Sequence, residues 1–407
     1  MPMVEIAVTG IGLVTPAGVG TEASWHAVCA AIATAGHADR LAGLPVDLAC
    51  EVPDFSPSKH VGRRSSLTHD RFVQLGITAA REAVADAGLD PCSWDGGRVG
   101  VVMGCGLGGV STWEKQHSVL LTNGPQSVSA LLIPMLVPNM IAGHLAMDLH
   151  AKGPNLVTAT ACASGATAIG TAMQLLQTGQ CDVVVAGGSE AGISPLIATG
   201  FNQMGALSRR LHDPATASRP FDVDRDGFVL AEGSGVLILE RLVDARARAA
   251  KVRAILAGYG ASADAHHMTA PDPDGHGAIA AMSAALDQAG LAPSDVRHVN
   301  AHGTSTKLND VAEARAVGKL FGQGVALTSA KGVIGHALGA AGAIEAALTV
   351  LTVERSTIPP TANLVSQDPD IDADIVTNAP RTGPVEAAIS NSFGFGGHNV
   401  ALVVRSA

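Results

Sequence analysis

Short apolar runs rich in β-branched residues alternate with Ala- and Gly-rich segments along the whole chain. The runs have the composition of strands buried on both faces, and the segments between them have helical spacing and end near glycine. Strands that alternate with helices favour a layered α/β architecture. The first predicted strands are 4–10, 98–104, 155–161, 181–188 and 234–240, and the pattern restarts after about residue 250.

The composition suits close packing of helices on sheets. Aromatic residues make up only 3% of the chain and there are 47 glycines, so small aliphatic side chains must build the core. The formal net charge of −10 argues against non-specific nucleic-acid binding, because phosphate contacts need clustered Lys and Arg. The six cysteines are dispersed without a CxxC pair, so we expect no disulfide framework, no zinc site and a reducing cytoplasm.

The sequence shows no signal for secretion or for insertion into a membrane. The amino terminus has no cationic segment followed by an apolar stretch. No window of about 18 residues is free of polar or glycine-rich breaks. We therefore expect a cytoplasmic protein without a membrane span.

Two segments repeat one pattern and predict a duplicated α/β unit. Residues 156–179 and 326–353 each run from a strand, through a turn of small residues, into an Ala- and Gly-rich helix. Each segment has its unusual polar residues in that turn. The repeat therefore predicts chemistry at equivalent positions of two similar halves.

Cys162 lies in the first of these turns, among residues too small to shield a thiol. A thiol at the start of a helix is near the positive end of the helix dipole and near unpaired N–H groups. These favour the thiolate and could bind an oxyanion. The alternative is a small buried cysteine that merely fits the core. The residues around Cys162 support the two interpretations equally.

Three further polar residues lie in small-residue turns of the second half. His302 follows an apolar strand in VNAHGTST, and Lys331 and His336 lie in AKGVIGHALGAAG. One such histidine is more often structural than catalytic, but two of them with a lysine favour a catalytic site. Metal binding by Cys162 and the two histidines is the competing interpretation, and it is weaker because no further ligand has metal-site spacing.

Two glycine-rich stretches also stand out. GCGLGG, residues 104–109, matches a dinucleotide-binding pattern, but the acidic residue expected about 20 positions later is missing. We expect its glycines to let the backbone approach a substrate or a partner subunit. NSFGFGGHN, residues 391–399, joins the last two predicted strands. Its glycines and two phenylalanines predict a mobile, water-excluding loop beside a site, with a plain hairpin loop as the alternative.

Five separated stretches, in one order, resemble the elongating type II β-ketoacyl-[acyl carrier protein] synthases of the thiolase superfamily. They are TACASG, residues 217–240, NAHGTST, KGVIGHALGAAG and NSFGFGGHN. The resemblance covers essentially the whole chain. It implies an α/β, thiolase-like, five-layered αβαβα fold made of two similar halves, here residues 1–250 and 251–407. It also implies a tight dimer with a long tunnel to the active site.

The resemblance implies a decarboxylative Claisen condensation. Cys162 would accept an acyl chain from acyl carrier protein as a thioester. His302 and His336 would hold malonyl thioester, promote its decarboxylation and stabilise the enolate that attacks the acyl group. The resemblance leaves the division of roles between the two histidines open, and it implies no metal or other cofactor.

Other residues of the site also follow from the resemblance. The backbone N–H groups of Cys162 and Phe395 would form an oxyanion hole, with Gly394 and Gly396 in the same gating loop. Lys331 would orient the site, paired with Glu313, because a buried ammonium without a counter-charge is costly. Leu107 would line the far end of the acyl pocket from a dimer partner. Further expected pocket residues are Phe201, Thr304 and Thr306.

The expected partners are acyl carrier protein and a second subunit. Acyl carrier proteins are acidic, so docking is expected on the two arginine pairs, Arg63 with Arg64 and Arg209 with Arg210. The second subunit would be an identical chain or a cysteine-less chain-length-factor-like chain. Fatty-acid elongation and a type II polyketide or polyene pathway both fit. The alternative function is a non-condensing scaffold or decarboxylating subunit. The presence together of Cys162, His302, His336 and Lys331 argues against it.

Overall fold

The computed structural model describes residues 4–407, in which 16 strands and 14 helices are assigned. The strands are β1 (Ile6–Thr15), β2 (Gly18–Val19), β3 (Gly36–His37), β4 (Leu48–Cys50), β5 (Val99–Gly104), β6 (Asn155–Thr158), β7 (Val183–Ala191), β8 (Leu230–Arg241), β9 (Ala254–Ala263), β10 (His298–Asn300), β11 (Ala326–Thr328), β12 (Thr357–Ile358), β13 (Asp374–Ile375), β14 (Arg381–Thr382), β15 (Ala387–Gly394) and β16 (His398–Arg405).

The helices are α1 (Thr21–Cys29), α2 (Pro57–His60), α3 (Arg63–Thr68), α4 (Arg71–Asp86), α5 (Val110–Asn123), α6 (Leu132–Leu136), α7 (Met140–Asp148), α8 (Ser164–Gln177), α9 (Pro195–Gln203), α10 (Leu242–Ala247), α11 (His276–Ala289), α12 (Lys307–Phe321), α13 (Lys331–Ile334) and α14 (Ala341–Arg355). Within residues 4–407, none of these helices is both long enough and apolar enough to cross a bilayer. The five strands predicted for the first half are all present, with ends that differ by up to five residues.

The main sheet consists of two halves with the same topology. Its strand order is β13-β11-β10-β15-β16-β9-β1-β8-β7-β5-β6. The halves meet where β1 pairs with β9, over three residues of each strand. In each half three parallel strands are followed by two antiparallel ones, β6-β5-β7-β8-β1 and β11-β10-β15-β16-β9. The duplication predicted from the internal repeat is therefore confirmed.

The helices complete five layers around the two half-sheets. α8 and α14 lie between the half-sheets, where their apolar side chains share one core with residues of both. α4 and α7 cover the outer face of the N-terminal half-sheet, and α11 and α12 cover that of the C-terminal half-sheet. The strands are buried on both faces, so alternate residues of β8 face different cores. Leu237 and Leu239 face the core between the half-sheets, and Val236 and Ile238 face the core under the outer helices. The predicted αβαβα layering is confirmed.

The two central helices approach closely because the second residue of each is a glycine at the contact. A side chain at Gly165 of α8 would place its Cβ 2.7 Å from the backbone nitrogen of Ala343, and one at Gly342 of α14 would place it 2.9 Å from the Cβ of Ala166. Just before these helices, Ala161 and Leu338 have φ of 50° and 46°. Both turns of the repeat thus share a left-handed residue and a glycine contact.

We predict opposite effects for two Gly→Ala substitutions in helices. Gly165→Ala forces the central helices apart and should destabilise the fold by about 1–3 kcal/mol. Gly143→Ala in α7, where an added Cβ meets nothing within 4 Å, should stabilise it by about 0.5–1 kcal/mol. Urea unfolding measures both changes. Stabilisation of the protein by Gly165→Ala would contradict the close crossing of the two helices.

Candidate active site

The predicted site residues lie just beyond the carboxyl ends of parallel strands. Cys162 follows β6, His302 follows β10, Lys331 follows β11 and Phe395 follows β15. Loops at the carboxyl ends of such strands are where α/β folds place ligands and reactive side chains. Because the two half-sheets face each other across α8 and α14, residues from both halves can meet at one place.

Cys162, His302 and His336 converge. One nitrogen or sulfur atom from each of them lies within 4.8 Å of those of the other two. The two imidazole rings have centroids 5.3 Å apart and are nearly perpendicular, at 82°. All three side chains are buried and line a cavity of about 310 Å³. A substrate atom in this cavity could contact the thiol and both imidazoles at once.

The thiol of Cys162 is protonated in the resting site. Cys162 lies in the 3₁₀ turn Ala161–Ala163, and α8 begins two residues later. Burial raises the pKa of Cys162 to about 11, and the opposing effects of the Lys331 charge and the Phe395 N–H do not offset it. The thiolate expected from the helix start alone is therefore wrong for the resting site, because desolvation dominates.

Both histidines are neutral. Burial, followed by the charge of Lys331, lowers the pKa of His302 and His336 well below 6.5. The Lys331 ammonium lies 3.4 Å from Nδ1 of His302. An ammonium can only donate, so Nδ1 accepts and the proton of the neutral ring lies on Nε2. This tautomer favours hydrogen-bond donation to a substrate. It disfavours metal binding through Nε2, since that would place an N–H against the ammonium.

Lys331 forms its ion pair with Glu345, not with Glu313 as predicted. Its ammonium donates to Oε1 of Glu345 and, at 2.6 Å, to the carbonyl oxygen of His302. Glu345 lies on α14 and is buried beside Lys331. The sequence carried a signal for it, because Glu345 is the one ionisable residue between His336 and Glu354.

Glu313 has a different partner set. Its carboxylate accepts hydrogen bonds from the backbone N–H groups of His302, at 2.9 Å, and Gly303, at 2.8 Å, and from the side-chain amide of Asn391 at 3.1 Å. Burial raises the pKa of Glu313 to about 7. Glu313 therefore holds the turn that carries His302, and Asn391 is a site residue that the sequence reasoning missed.

The cavity wall includes most of the expected pocket residues. Phe201, Thr304, Thr306, Gly394 and Phe395 line it. Leu107 of the expected pocket and Gly396 of the gating loop do not line it. The end methyl group of Leu107 and that of Leu338, which lines the cavity, both approach Gly192. The N–H of Gly396 instead donates to the carbonyl oxygen of Met268 at 2.8 Å.

The two arginine pairs lie on different parts of the fold. The backbone N–H of Arg209 donates to Asp226, a cavity-lining residue, at 2.9 Å, so this pair is close to the cavity. Arg63 and Arg64 are exposed at the start of α3, which packs with α2. No residue before Cys162 lines the cavity within the described range, 4–407. Of the two pairs, only the second has a hydrogen bond to a cavity-lining residue.

We predict that removing one member of the buried ion pair costs more stability than removing both. Lys331→Met leaves the Glu345 carboxyl without its counter-charge, at a cost of about 3–5 kcal/mol in the free energy of unfolding. Lys331→Met/Glu345→Leu removes both charges and should recover most of that loss. Urea unfolding of the parent, both single variants and the double variant measures the coupling, and strictly additive losses would contradict the pairing.

The same variant should show a pH dependence of known sign. Burial raises the pKa of Glu345 from 4.5 to about 7 in the presence of Lys331, and loss of the ammonium raises it further. A raised folded-state pKa means that the folded protein binds more protons, so its stability falls as pH rises above about 4.5. The destabilisation by Lys331→Met should therefore be larger at about pH 8 than at about pH 5. Equal losses would count against Glu345 as the partner.

Comparison with known proteins is consistent with this geometry. Residues 3–245 match the family model described as "Beta-ketoacyl synthase, N-terminal domain", and residues 253–365 match "Beta-ketoacyl synthase, C-terminal domain". A 3-oxoacyl-[acyl-carrier-protein] synthase 2 from Synechocystis sp. is 44% identical over 408 residues, with 98% of each chain covered.

Two solved structures share the fold over the full length. A β-ketoacyl synthase from Burkholderia phymatum superposes with a TM-score of 0.93 at 33% identity, and the ishigamide ketosynthase/chain length factor with a TM-score of 0.92 at 32% identity. All of this chain and all of each matched chain are covered. The chain therefore belongs to the β-ketoacyl synthase family, and the predicted fold and condensing activity are confirmed.

Proposed function

We propose that this chain condenses an acyl group carried on Cys162 with malonyl-[acyl carrier protein] to give β-ketoacyl-[acyl carrier protein]. The observation that carries the proposal is the convergence of one thiol and two neutral imidazoles in a buried cavity. Fatty-acid and polyketide synthesis both use this reaction. The relatives named for [acyl-carrier-protein] substrates support the carrier-bound form of the substrates.

The first step is acyl transfer to Cys162. The sulfur attacks the carbonyl carbon of the acyl thioester, and its proton must leave as the bond forms because the resting thiol is neutral. A neutral imidazole nearby can accept that proton. The N–H groups of Cys162 and Phe395 would stabilise the oxyanion, which the hydrogen bond from the Phe395 N–H toward the sulfur supports. The carrier thiolate then leaves and takes up a proton.

The second step is decarboxylation of malonyl thioester. The Nε2–H of His302 would donate to the thioester carbonyl oxygen, with His336 on the same oxygen. The bond between the α-carbon and the carboxylate breaks, CO₂ leaves, and its electron pair forms an enolate that these donors stabilise. The mostly apolar cavity disfavours the localised carboxylate charge and so favours the loss of CO₂.

The third step is condensation. The enolate carbon attacks the carbonyl carbon of the acyl-Cys162 thioester, the C–S bond breaks and the thiolate leaves. A neutral imidazole would relay a proton from solvent to the sulfur, and the raised pKa of Cys162 makes this protonation favourable. Lys331 would act by orienting His302 through Nδ1 and the backbone carbonyl.

A second chain is proposed to pair along β6. This strand is the last in the N-terminal half-sheet, and Leu156 on it is exposed. The helix α5, which follows β5 in the chain, exposes Trp113, Leu120 and Leu121. An unpaired edge strand and exposed apolar side chains are both typical of a subunit interface. The partner would be an identical chain or, as the ishigamide ketosynthase/chain length factor supports, a chain-length-factor-like subunit.

Two further expectations stay proposals. The division into halves at residues 250 and 251 is supported by the start of β9 at Ala254. A reducing, cytoplasmic environment is supported by the cysteines, all six of which are unpaired thiols.

We predict that substitutions separate the half-reactions. Cys162→Ala should abolish acylation and condensation, and peptide mapping of a trapped acyl-enzyme should find the acyl group on Cys162. His302→Ala and His336→Ala should retain some self-acylation. The rate of CO₂ release should fall about a hundredfold or more in each variant, since each removes a hydrogen-bond donor to the enolate. Radiolabelled acyl carrier protein measures the first reaction and labelled malonyl thioester the second.

The control for this experiment is the exposed Cys92→Ser variant, which should keep both half-reactions. Label on Cys105 or Cys181 would contradict the assignment of the nucleophile. Normal decarboxylation by both histidine variants would contradict the assignment of the malonyl site.

We predict that Arg209 and Arg210 contribute to carrier docking more than Arg64. Arg209→Glu or Arg210→Glu should raise KM for carrier-bound substrate about fivefold at low salt, and less as salt screens the charge. Arg246→Glu on α10, where the arginine is also exposed, is the matched control. KM for a small thioester without the protein carrier should not change. An equal loss with both substrates would exclude a docking role.

A further inference from the structure

Glu190 is a buried carboxylate in β7 that takes no part in the steps above. Its oxygens accept hydrogen bonds from the backbone N–H groups of Gly106 at 2.7 Å, Leu107 at 3.2 Å and Gly339 at 3.2 Å. The thiol of Cys105 donates to it at 3.4 Å. No cation is among these partners, and the residue has no exposed surface. Burial raises the pKa of Glu190, and the hydrogen bonds that it accepts oppose that rise. These bonds are therefore what compensates for burying the carboxyl group.

The duplicated fold gives these bonds a counterpart. Gly104 of β5 pairs with Thr158 and Gly188 in the N-terminal half, and Asn300 of β10 pairs with Thr328 and Ser390 in the C-terminal half. Gly104 and Asn300 therefore occupy equivalent positions in the two halves. Two and three residues further on, Gly106 and Leu107 are equivalent to His302 and Gly303.

In each half, a buried carboxylate accepts hydrogen bonds from the two backbone N–H groups at these positions. Glu313, from α12, binds those of His302 and Gly303, and Glu190, from β7, binds those of Gly106 and Leu107. The two carboxylates come from unrelated elements, so the shared contact is not a remnant of the sequence repeat. In the C-terminal half, the turn that Glu313 binds carries a proposed catalytic histidine, His302. We therefore expect the turn that Glu190 binds to contribute to the active site as well.

The positions of Leu107 and Leu338 indicate what this contribution is. An added Cβ at Gly192 would lie 3.0 Å from an end methyl group of each leucine, so both side chains approach the same point. Leu338 lines the cavity and Leu107 does not. Glu190 binds the N–H of Leu107 itself and the N–H of Gly339, the residue that follows Leu338. One carboxylate thus sets the spacing between the two leucine-bearing turns.

We propose that Glu190 is a positioning residue that sets the length of acyl chain the cavity accepts, by holding Leu107 close to Leu338 in the cavity wall. The proposal rests on the proposed function, because it concerns the acyl group bound to Cys162. A longer chain must displace these leucines, and the bonds to Glu190 resist that displacement.

The test is the selectivity of Glu190→Gln for acyl chain length. The N–H of Leu107 lies 3.2 Å from Oε1 and 3.3 Å from Oε2 of Glu190, and the Cys105 thiol donates to Oε1. Gln has only one accepting oxygen, so the N–H of Leu107 loses one of its two acceptors and is held less firmly. The measurement is kcat/KM for carrier-bound acyl donors of increasing length. The ratio between the donor that the parent prefers and the next longer donor should fall about fivefold, as expected for one lost hydrogen bond. A ratio within one variant is independent of how much enzyme is active.

Glu82→Gln is the matched control. Glu82 also accepts two backbone N–H bonds, from Leu13 at 2.9 Å and Thr21 at 2.7 Å, but it lies on α4 in the outer layer. Its variant should lose stability without a change in selectivity. If Glu190→Gln does not fold, Glu190→Asp keeps the charge while withdrawing the carboxylate, and the same fall in the ratio is expected.

The outcomes are distinguishable. A folded Glu190 variant with the parent's chain-length profile would overturn the proposal and leave Glu190 as a structural residue like Glu82. A parent enzyme that no acyl donor acylates at Cys162 would overturn the proposed function, and this proposal with it.

Discussion

The close crossing of α8 and α14 is the constraint on which the rest of the structure depends. Glycine at Gly165 and Gly342 lets the two helices touch through backbone atoms, and the two half-sheets pack on either side of them. This crossing brings the turn before α8, with Cys162, next to the turn before α14, with His336. The active site is therefore a consequence of the central layer, because the same two helices that form the core between the half-sheets also begin at the reacting groups.

The site is built so that its reacting groups are uncharged at rest. Burial keeps the thiol protonated and both imidazoles neutral, and the buried Lys331 ammonium beside them is paired with Glu345. Neutral donors suit a reaction whose charge develops as CO₂ leaves. The pair contributes by orienting His302 and by setting its tautomer, at the cost of making the site sensitive to loss of either partner.

Sequence reasoning predicted the features that depend on local pattern. The strands, the duplicated unit and the turns that carry Cys162, His302 and His336 each have a signature within about ten to thirty residues. Sequence reasoning failed for properties that depend on burial or on contacts between elements distant in the sequence. The start of α8 suggested a thiolate at Cys162, but the depth of the turn decides its pKa. Glu313 and Glu345 lie on either side of Lys331 in the sequence, and only the packing of α14 shows which carboxylate is the partner.

The core shared by the two halves has a consequence for how the chain is made. About two fifths of that core, including the apolar residues of α14, comes from residues after 250. A ribosome that has released only the first half has therefore exposed a half-sheet and one face of α8 with nothing to cover them. The half-sheet cannot complete its packing until α14 has emerged, almost one hundred residues later. Over that interval the nascent chain presents a broad apolar surface of the kind that chaperones bind.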